Sequence, residues 1–106
     1  MIVKQSTPDL AEIEVVDVLH ALSDPVRLGM VRQLACCDEG DELSCGQIEV
    51  SVAKSTATHH LKVLHRSGLT AEREQGTRKF VRLRRKELDA RFPGLLGSVL
   101  RAGRAG

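Results

Sequence analysis

Lys54-Ser55-Thr56-Ala57-Thr58-His59-His60-Leu61-Lys62-Val63-Leu64-His65-Arg66-Ser67, closed by Gly68, is the segment around which the rest of the chain can be ordered. It reads as a helix, with Gly68 supplying the left-handed residue of a C-terminal cap. At about 100° per residue, with Ser55 set at zero, Thr58, His59, Lys62 and Arg66 fall within about 60° of it. Ala57, Leu61 and Leu64 lie about 180–240° away, and Thr56 and Val63 sit at the margin. One face is therefore apolar, while the other carries hydroxyls, an imidazole and two cations. Short donors and acceptors near the start of such a helix can reach base edges in a major groove, and Lys62 and Arg66 can hold phosphates. An ordinary amphipathic surface helix has the same pattern, so the flanking sequence has to separate the two readings.

Downstream, Leu69-Thr70-Ala71-Glu72-Arg73-Glu74 and Arg78-Lys79-Phe80-Val81-Arg82-Leu83 flank Gln75-Gly76-Thr77. Two short polar–apolar runs around a glycine turn predict a β-hairpin. Upstream, Ser23-Asp24-Pro25 is a cap followed by proline, and it opens a helix carrying Leu28, Val31 and Leu34 that ends near Cys36-Cys37. An earlier start at Ser6-Thr7-Pro8-Asp9 predicts a first helix with Leu10, Ile13, Val16, Leu19 and Leu22. The acidic loop 38–42 and the extended Leu43-Ser44-Cys45 lead to a small helix expected from Gln47 to about Ser51. A last helix begins near Lys86, kinks at Phe92-Pro93, and bears an apolar stripe at Phe92, Leu95, Leu96, Val99 and Leu100. Helix, turn, polar-faced helix and basic hairpin together make a winged helix-turn-helix. The fold class expected is mainly α with a small β-hairpin: about five helices and a two-stranded wing. It forms a single domain over 1–106, with the tail 101–106 frayed.

The chain has 106 residues and a formal net charge of +2, with 42% apolar and 28% charged residues. This is one domain's worth of ordinary globular composition. The charge is segregated. Between Lys54 and Lys86 lie ten basic residues against Glu72 and Glu74, a local charge of +8; the remainder carries −6. Such a cationic third is the footprint expected for a polyanion, since each Lys or Arg that meets a phosphate releases a condensed counterion. Arg78 and Lys79, just past the turn, would reach the backbone or the minor groove; the orientation of Arg82, Arg84 and Arg85 is open. Aromatic residues are only 2%, Phe80 and Phe92, which argues against base stacking on an aromatic platform. No stretch approaches a membrane span, and Met1-Ile2-Val3-Lys4-Gln5 lacks the apolar segment of an export signal. With three cysteines, an odd number, a reduced cytoplasmic setting is expected.

The sequence resembles the ArsR/SmtB-type winged-helix repressors. The resemblance rests on Ala21-Leu22-Ser23-Asp24-Pro25-Val26-Arg27-Leu28, on Ser55-Thr56-Ala57-Thr58-His59-His60-Leu61-Lys62-Val63-Leu64, on Ser67-Gly68-Leu69, and on Glu74-Gln75-Gly76-Thr77-Arg78-Lys79-Phe80-Val81-Arg82-Leu83. With the flanking helices it covers about residues 10–100. It implies a homodimer joined through the first and last helices, binding a roughly palindromic double-stranded DNA operator and repressing transcription. Carried over by position, the groove contacts fall on Lys54, Ser55, Thr58 and His59, with Thr56 a candidate for a phosphate. Leu10 and Ile13 of the first helix, with Phe92, Leu95, Leu96, Val99 and Leu100, become the expected dimer seam.

Adjacent helical residues point about 100° apart, so His59 and His60 are no ligand pair, and His60 projects toward the apolar side. His20 and His65 stand alone and read as structural. Metal sensors that the chain resembles use a Cys-x-Cys pair where this sequence has Ser44-Cys45-Gly46, or Asp and His on the last helix, where it has Asp89 and no histidine. No metal site or cofactor is expected from either. Cys36, Cys37 and Cys45 leave open a thiol-based metalloid or redox sensor, and structural cysteines are the alternative. No inducer can be named. Catalysis is not expected, because no nucleophile–base pair or phosphate loop is present, and Gly94-Leu95-Leu96-Gly97 follows a proline rather than a strand. A winged helix serving as a protein-interaction module competes with DNA binding, but such modules often lose the basic wing or carry acids on the second helix. Here no acid lies between Lys54 and Ala71.

Overall fold

Cap and breaker chemistry sets most element boundaries in the computed structural model, which describes residues 8–37 and 41–102. Five α-helices are present: α1 (Val15–Leu22), α2 (Pro25–Ala35), α3 (Lys54–Ser67), α4 (Arg85–Arg91) and α5 (Leu95–Ala102). Strands β1 (Leu43–Ser44), β2 (Thr70–Gln75) and β3 (Arg78–Leu83) form an antiparallel sheet in the order β1-β3-β2. The predicted hairpin thus gains a third strand: Leu43 and Ser44 pair with Val81 and Phe80. Short 3₁₀ turns occupy Leu10–Glu12 and Cys45–Gln47.

At the start of α2 the Asp24 carboxylate accepts hydrogen bonds from the backbone N–H groups of Val26 (2.8 Å) and Arg27 (3.2 Å), and Pro25 takes the first helical position. The Arg27 bond, reinforced by that from Val26, holds the Asp24 carboxyl below its usual range. The end of α3 is Gly68, at φ +92°, whose N–H caps the His65 carbonyl. Pro93 separates α4 from α5, and Gly94 turns the chain at φ +81°. The core lies between α1, α2, α3, α4, α5 and the sheet, around Val18, Met30, Val31, Leu64, Leu69, Val81, Leu88 and Leu96.

Three expectations change. The first helix does not run on from Pro8. Ile13 and Glu14 are extended, and α1 begins only at Val15. The physical reason is tertiary. Arg84 Nη1 donates to the Pro8 carbonyl (2.8 Å), and Arg91 Nε and Nη2 donate to the Ile13 carbonyl (3.3 and 3.2 Å), so these carbonyls are satisfied outside a helix. The cap assigned to Thr7 lies outside the described residues, as do Asp38, Glu39 and Gly40 of the acidic loop. The small helix expected over Gln47–Ser51 is instead the single turn Cys45–Gln47, held by the Gln47 side chain reaching back to the Ser44 N–H (2.8 Å). Finally, residues 101 and 102, expected to fray, continue α5; the rest of the tail lies outside the described residues.

Candidate nucleic-acid interface

The segment 54–67 folds as one helix with the face the projection assigns. Lys54, Ser55, Thr56, Thr58, His59, Lys62 and Arg66 are exposed, while His60, Leu61, Leu64 and His65 are buried. No side chain caps the start of α3, and no acid stands in its first turn, so its first N–H groups and dipole face solvent unopposed. Thr58 Oγ1 donates to the Lys54 carbonyl (3.0 Å), which leaves its lone pairs free to accept.

His60 is the structural histidine of the pair. Arg27, 8% exposed, donates from Nη1 to His60 Nδ1 (3.0 Å), and its Nε donates to the Ala21 carbonyl (2.8 Å). One buried guanidinium therefore joins the end of α1, the start of α2 and the middle of α3. Sequence reasoning assigned Arg27 no role, because its partner lies 33 positions away. His65 is also buried, with Nδ1 3.7 Å from Glu72 Oε1 on β2. His20 is exposed; its carbonyl accepts from Ser23 Oγ (2.6 Å).

The hairpin is joined to α3 by more than sequence. Lys54, Thr58 and Lys62 of α3 line one cleft together with Glu72 and Lys79 of the wing. Thr77 and Gly76 (φ +62°) form the two-residue turn, with Gln75 paired to Arg78. Arg78 is exposed and stands 5.5 Å from the Phe80 ring. Lys79 is tied back, its Nζ 3.6 Å from Glu72 Oε1. Arg66 lies apart from this cleft, beside Asp17 and His20 of α1.

Much of the basic stretch is spent inside the protein. Arg73 grips Glu42 in a bidentate pair (2.8–3.1 Å) while lying 4.6 Å over Phe80. That bond holds the Glu42 carboxyl below its ordinary range and raises Arg73 in return. Arg82 and Arg84 both donate to Glu87 Oε2 (3.2 and 3.1 Å). Burial works to raise the Glu87 carboxyl, but these two bonds outweigh it and keep it low. Arg84 is itself buried, and Arg85 pairs with Asp89 (3.3 Å).

The expected dimer residues divide as well. Ile13 and Leu96, 2% and 1% exposed, belong to the protomer's own core rather than to an outer seam. Leu10, Phe92, Leu95, Val99 and Leu100 are half-buried against it. Among the described residues the large apolar side chains left exposed are Val15, Val16 (70%) and Leu19 (46%), on one side of α1. The extended break at Ile13 and Glu14 produces this, by turning Ile13 inward before the helix begins.

The cysteines do not converge. Cys36 is exposed at the end of α2, and the half-buried Cys37 points its thiol at the Gln33 carbonyl (3.7 Å). Cys45 lines the cleft beneath α3, where burial pushes its thiol up. Among the described residues no three His, Cys, Asp or Glu side chains group closely enough to hold a metal ion. No described helix is long and apolar enough to cross a membrane.

Residues 22–73 match a family model described as a helix-turn-helix domain. The chain is 38% identical over 84 residues to an uncharacterized HTH-type transcriptional regulator, YceK, of Bacillus subtilis (strain 168), covering 77% of this chain and 82% of that protein. Its fold is similar to that of the transcriptional repressor BigR from Xylella fastidiosa, at TM-score 0.64 and 27% identity, over 87% of this chain and 88% of that one. The ArsR family transcriptional regulator RHA00566 is similar in fold at TM-score 0.64 and 18% identity, over 85% and 98% of the two chains. Five helices, a wing, an exposed polar helix face and these likenesses together place the protein: it belongs to the HTH-type transcriptional regulators, built on a winged helix-turn-helix.

Proposed function

We propose that this regulator is a homodimeric repressor of a roughly palindromic operator, with DNA reading and dimerisation carried by one domain in the cytoplasm. In this reading α3 of each copy enters a major groove, with Lys54, Ser55, Thr58 and His59 toward base edges and Thr56, Lys62 and Arg66 toward phosphates. Arg78 and Lys79 extend the contact from the wing. The observation that carries it is the exposed, acid-free face of α3, which shares one cleft with Lys79 of the hairpin. Repression is supported by the likeness to a protein named as a repressor. Dimerisation is supported by Val15, Val16 and Leu19, an apolar face that α1 leaves uncovered.

Fluorescence anisotropy on DNA from upstream of the gene tests the reading. Lys62→Ala and Arg78→Ala are each expected to weaken all sequences alike and to reduce the salt slope by about one. Ser55→Ala and His59→Ala are expected instead to erode operator preference, by about 1–3 kcal/mol for a lost base contact. Sequence-independent losses from all four would sink the division into readers and anchors. Affinity indifferent to salt would sink DNA binding through this face.

For the dimer, the double variant Val16→Asp/Leu19→Asp is expected to halve the mass seen in sedimentation and to weaken binding to a full palindrome but not to a half-site. A wild-type protein that is monomeric at micromolar concentration, yet binds the palindrome fully, would overturn it.

A further inference from the structure

Away from α3, a pocket of 190 Å³ opens between the end of α2, the start of α4 and α5. Arg32, Arg85 and Arg101 line it, with Cys36 and Gly97. Arg32 Nε and Nη2 are themselves buried and have no hydrogen-bond partner among the described residues. Above Gly97 two more guanidinium groups meet. A methyl carbon placed on that glycine would stand 3.5 Å from Arg101 Nη1, and 3.8 Å from both Arg101 Nη2 and Arg85 Nη2. Among the described residues the one carboxylate paired with any of the three is Asp89, bound to Arg85 through Nε. Arg101 has no ion pair or side-chain hydrogen bond among the described residues.

Three cations converging with one carboxylate repel one another, and buried guanidinium donors left unpaired are costly. An ion with several acceptor oxygens offsets that repulsion, and the planar fork of arginine suits oxyanion geometry. The volume limits the ligand. Pockets for larger organic molecules run to about 300–1,000 Å³, whereas one water occupies about 30 Å³ in the liquid. The space fits a small ion with a few waters. We propose that this pocket is a binding site for a small tetrahedral oxyanion of the sulfate or phosphate class, held by Arg32, Arg85 and Arg101. The ion fastens α5 to α2. None of these arginines is among the cations assigned to DNA, so the site stands whether or not that assignment does. A DNA phosphate has the same chemistry, but the place of the pocket, between α2 and α5 rather than on α3, favours the free ion.

Thermal unfolding of the full chain in sodium sulfate or phosphate, against sodium chloride at equal ionic strength, is the test. Sulfate stabilises many proteins without binding them, so a saturating response is required. The expected result is a rise in Tm that saturates at millimolar anion. Arg101→Gln should move the half-saturating concentration up about tenfold, a normal loss for one charge-assisted hydrogen bond. Bound sulfate should also slow iodoacetamide alkylation of Cys36 in the wild type, followed by mass spectrometry, and do so in Arg101→Gln only at about tenfold higher sulfate. A non-saturating rise, the same in both proteins, would overturn the site. So would saturation confined to an Asp38→Asn/Glu39→Gln protein, which would mean that the chain's own carboxylates fill the pocket. A loss of DNA affinity by Arg32→Gln and Arg101→Gln in sulfate-free buffer, with no response to free anion, would reassign the pocket to the DNA backbone and overturn it equally.

Discussion

Gly68→Ala is expected to lower the unfolding free energy by about 3 kcal/mol, from two costs that add. Gly68 is left-handed, at φ +92°, which costs an L-residue about 1–2 kcal/mol. A Cβ there would also lie 2.6 Å from both Ile13 Cδ1 and Cγ1, inside the core. Ile13 is 2% exposed and branched at Cβ, so it cannot step aside without moving its neighbours, an overpacking that costs about 1–3 kcal/mol. Gly76→Ala is the internal control, because Gly76 is also left-handed (φ +62°) but has nothing within 4 Å of the added carbon. Urea denaturation should find Gly76→Ala about 1 kcal/mol less stable than wild type. Equal losses at the two glycines would show that Ile13 has no part in the effect.

Arg27→Met should cost a similar amount, about 3 kcal/mol, by a different route. Methionine keeps the length of the side chain but donates nothing. The Ala21 carbonyl and His60 Nδ1 are then left buried without their partner. For a domain of this size the melting temperature should fall by roughly 15 °C. A double-mutant cycle with His60→Ala separates the pair from the rest, and a coupling of about 1–2 kcal/mol is expected. Strict additivity would mean that the 3.0 Å contact contributes nothing to stability. At temperatures where the variant is still folded, the loss should also appear in DNA affinity, since Arg27 sets the position of α3 against α1 and α2.

What could be read in the sequence was local. Asp24-Pro25, Gly68 and Gly76-Thr77 each dictate a cap or turn by their own chemistry, and α2, α3 and the hairpin lie where those residues put them. The polar face of α3 was legible because helical geometry alone assigns it. What escaped was set by distant partners. Arg84 and Arg91 reach carbonyls 76 and 78 positions earlier, and their bonds stop α1 from starting at Pro8. With the chain extended at Ile13 and Glu14, Ile13 is buried while Val16 and Leu19 stay exposed, an arrangement that periodicity counted from Pro8 does not give. In the basic stretch, composition counts charges but does not say which are already spent. Arg73 and Arg84 are engaged with Glu42 and Glu87, while Lys54, Lys62, Arg66, Arg78 and Lys86 remain exposed.

The chain from Cys45 to Ala53, beneath α3, has only one 3₁₀ turn of its own. Its middle is held by the side-chain amide of Gln33, which donates to the Glu49 carbonyl (2.6 Å) and accepts from the Glu49 N–H (2.8 Å). That amide stands in for a neighbouring strand's peptide group, and it is exposed to solvent. Detaching the segment breaks these surface bonds and withdraws Ile48, 7% exposed, from the core, at a cost expected to lie below that of global unfolding. Its amides are expected to trade hydrogen for deuterium before those of α3 do, so that the support beneath α3 opens while the remaining fold stays shut.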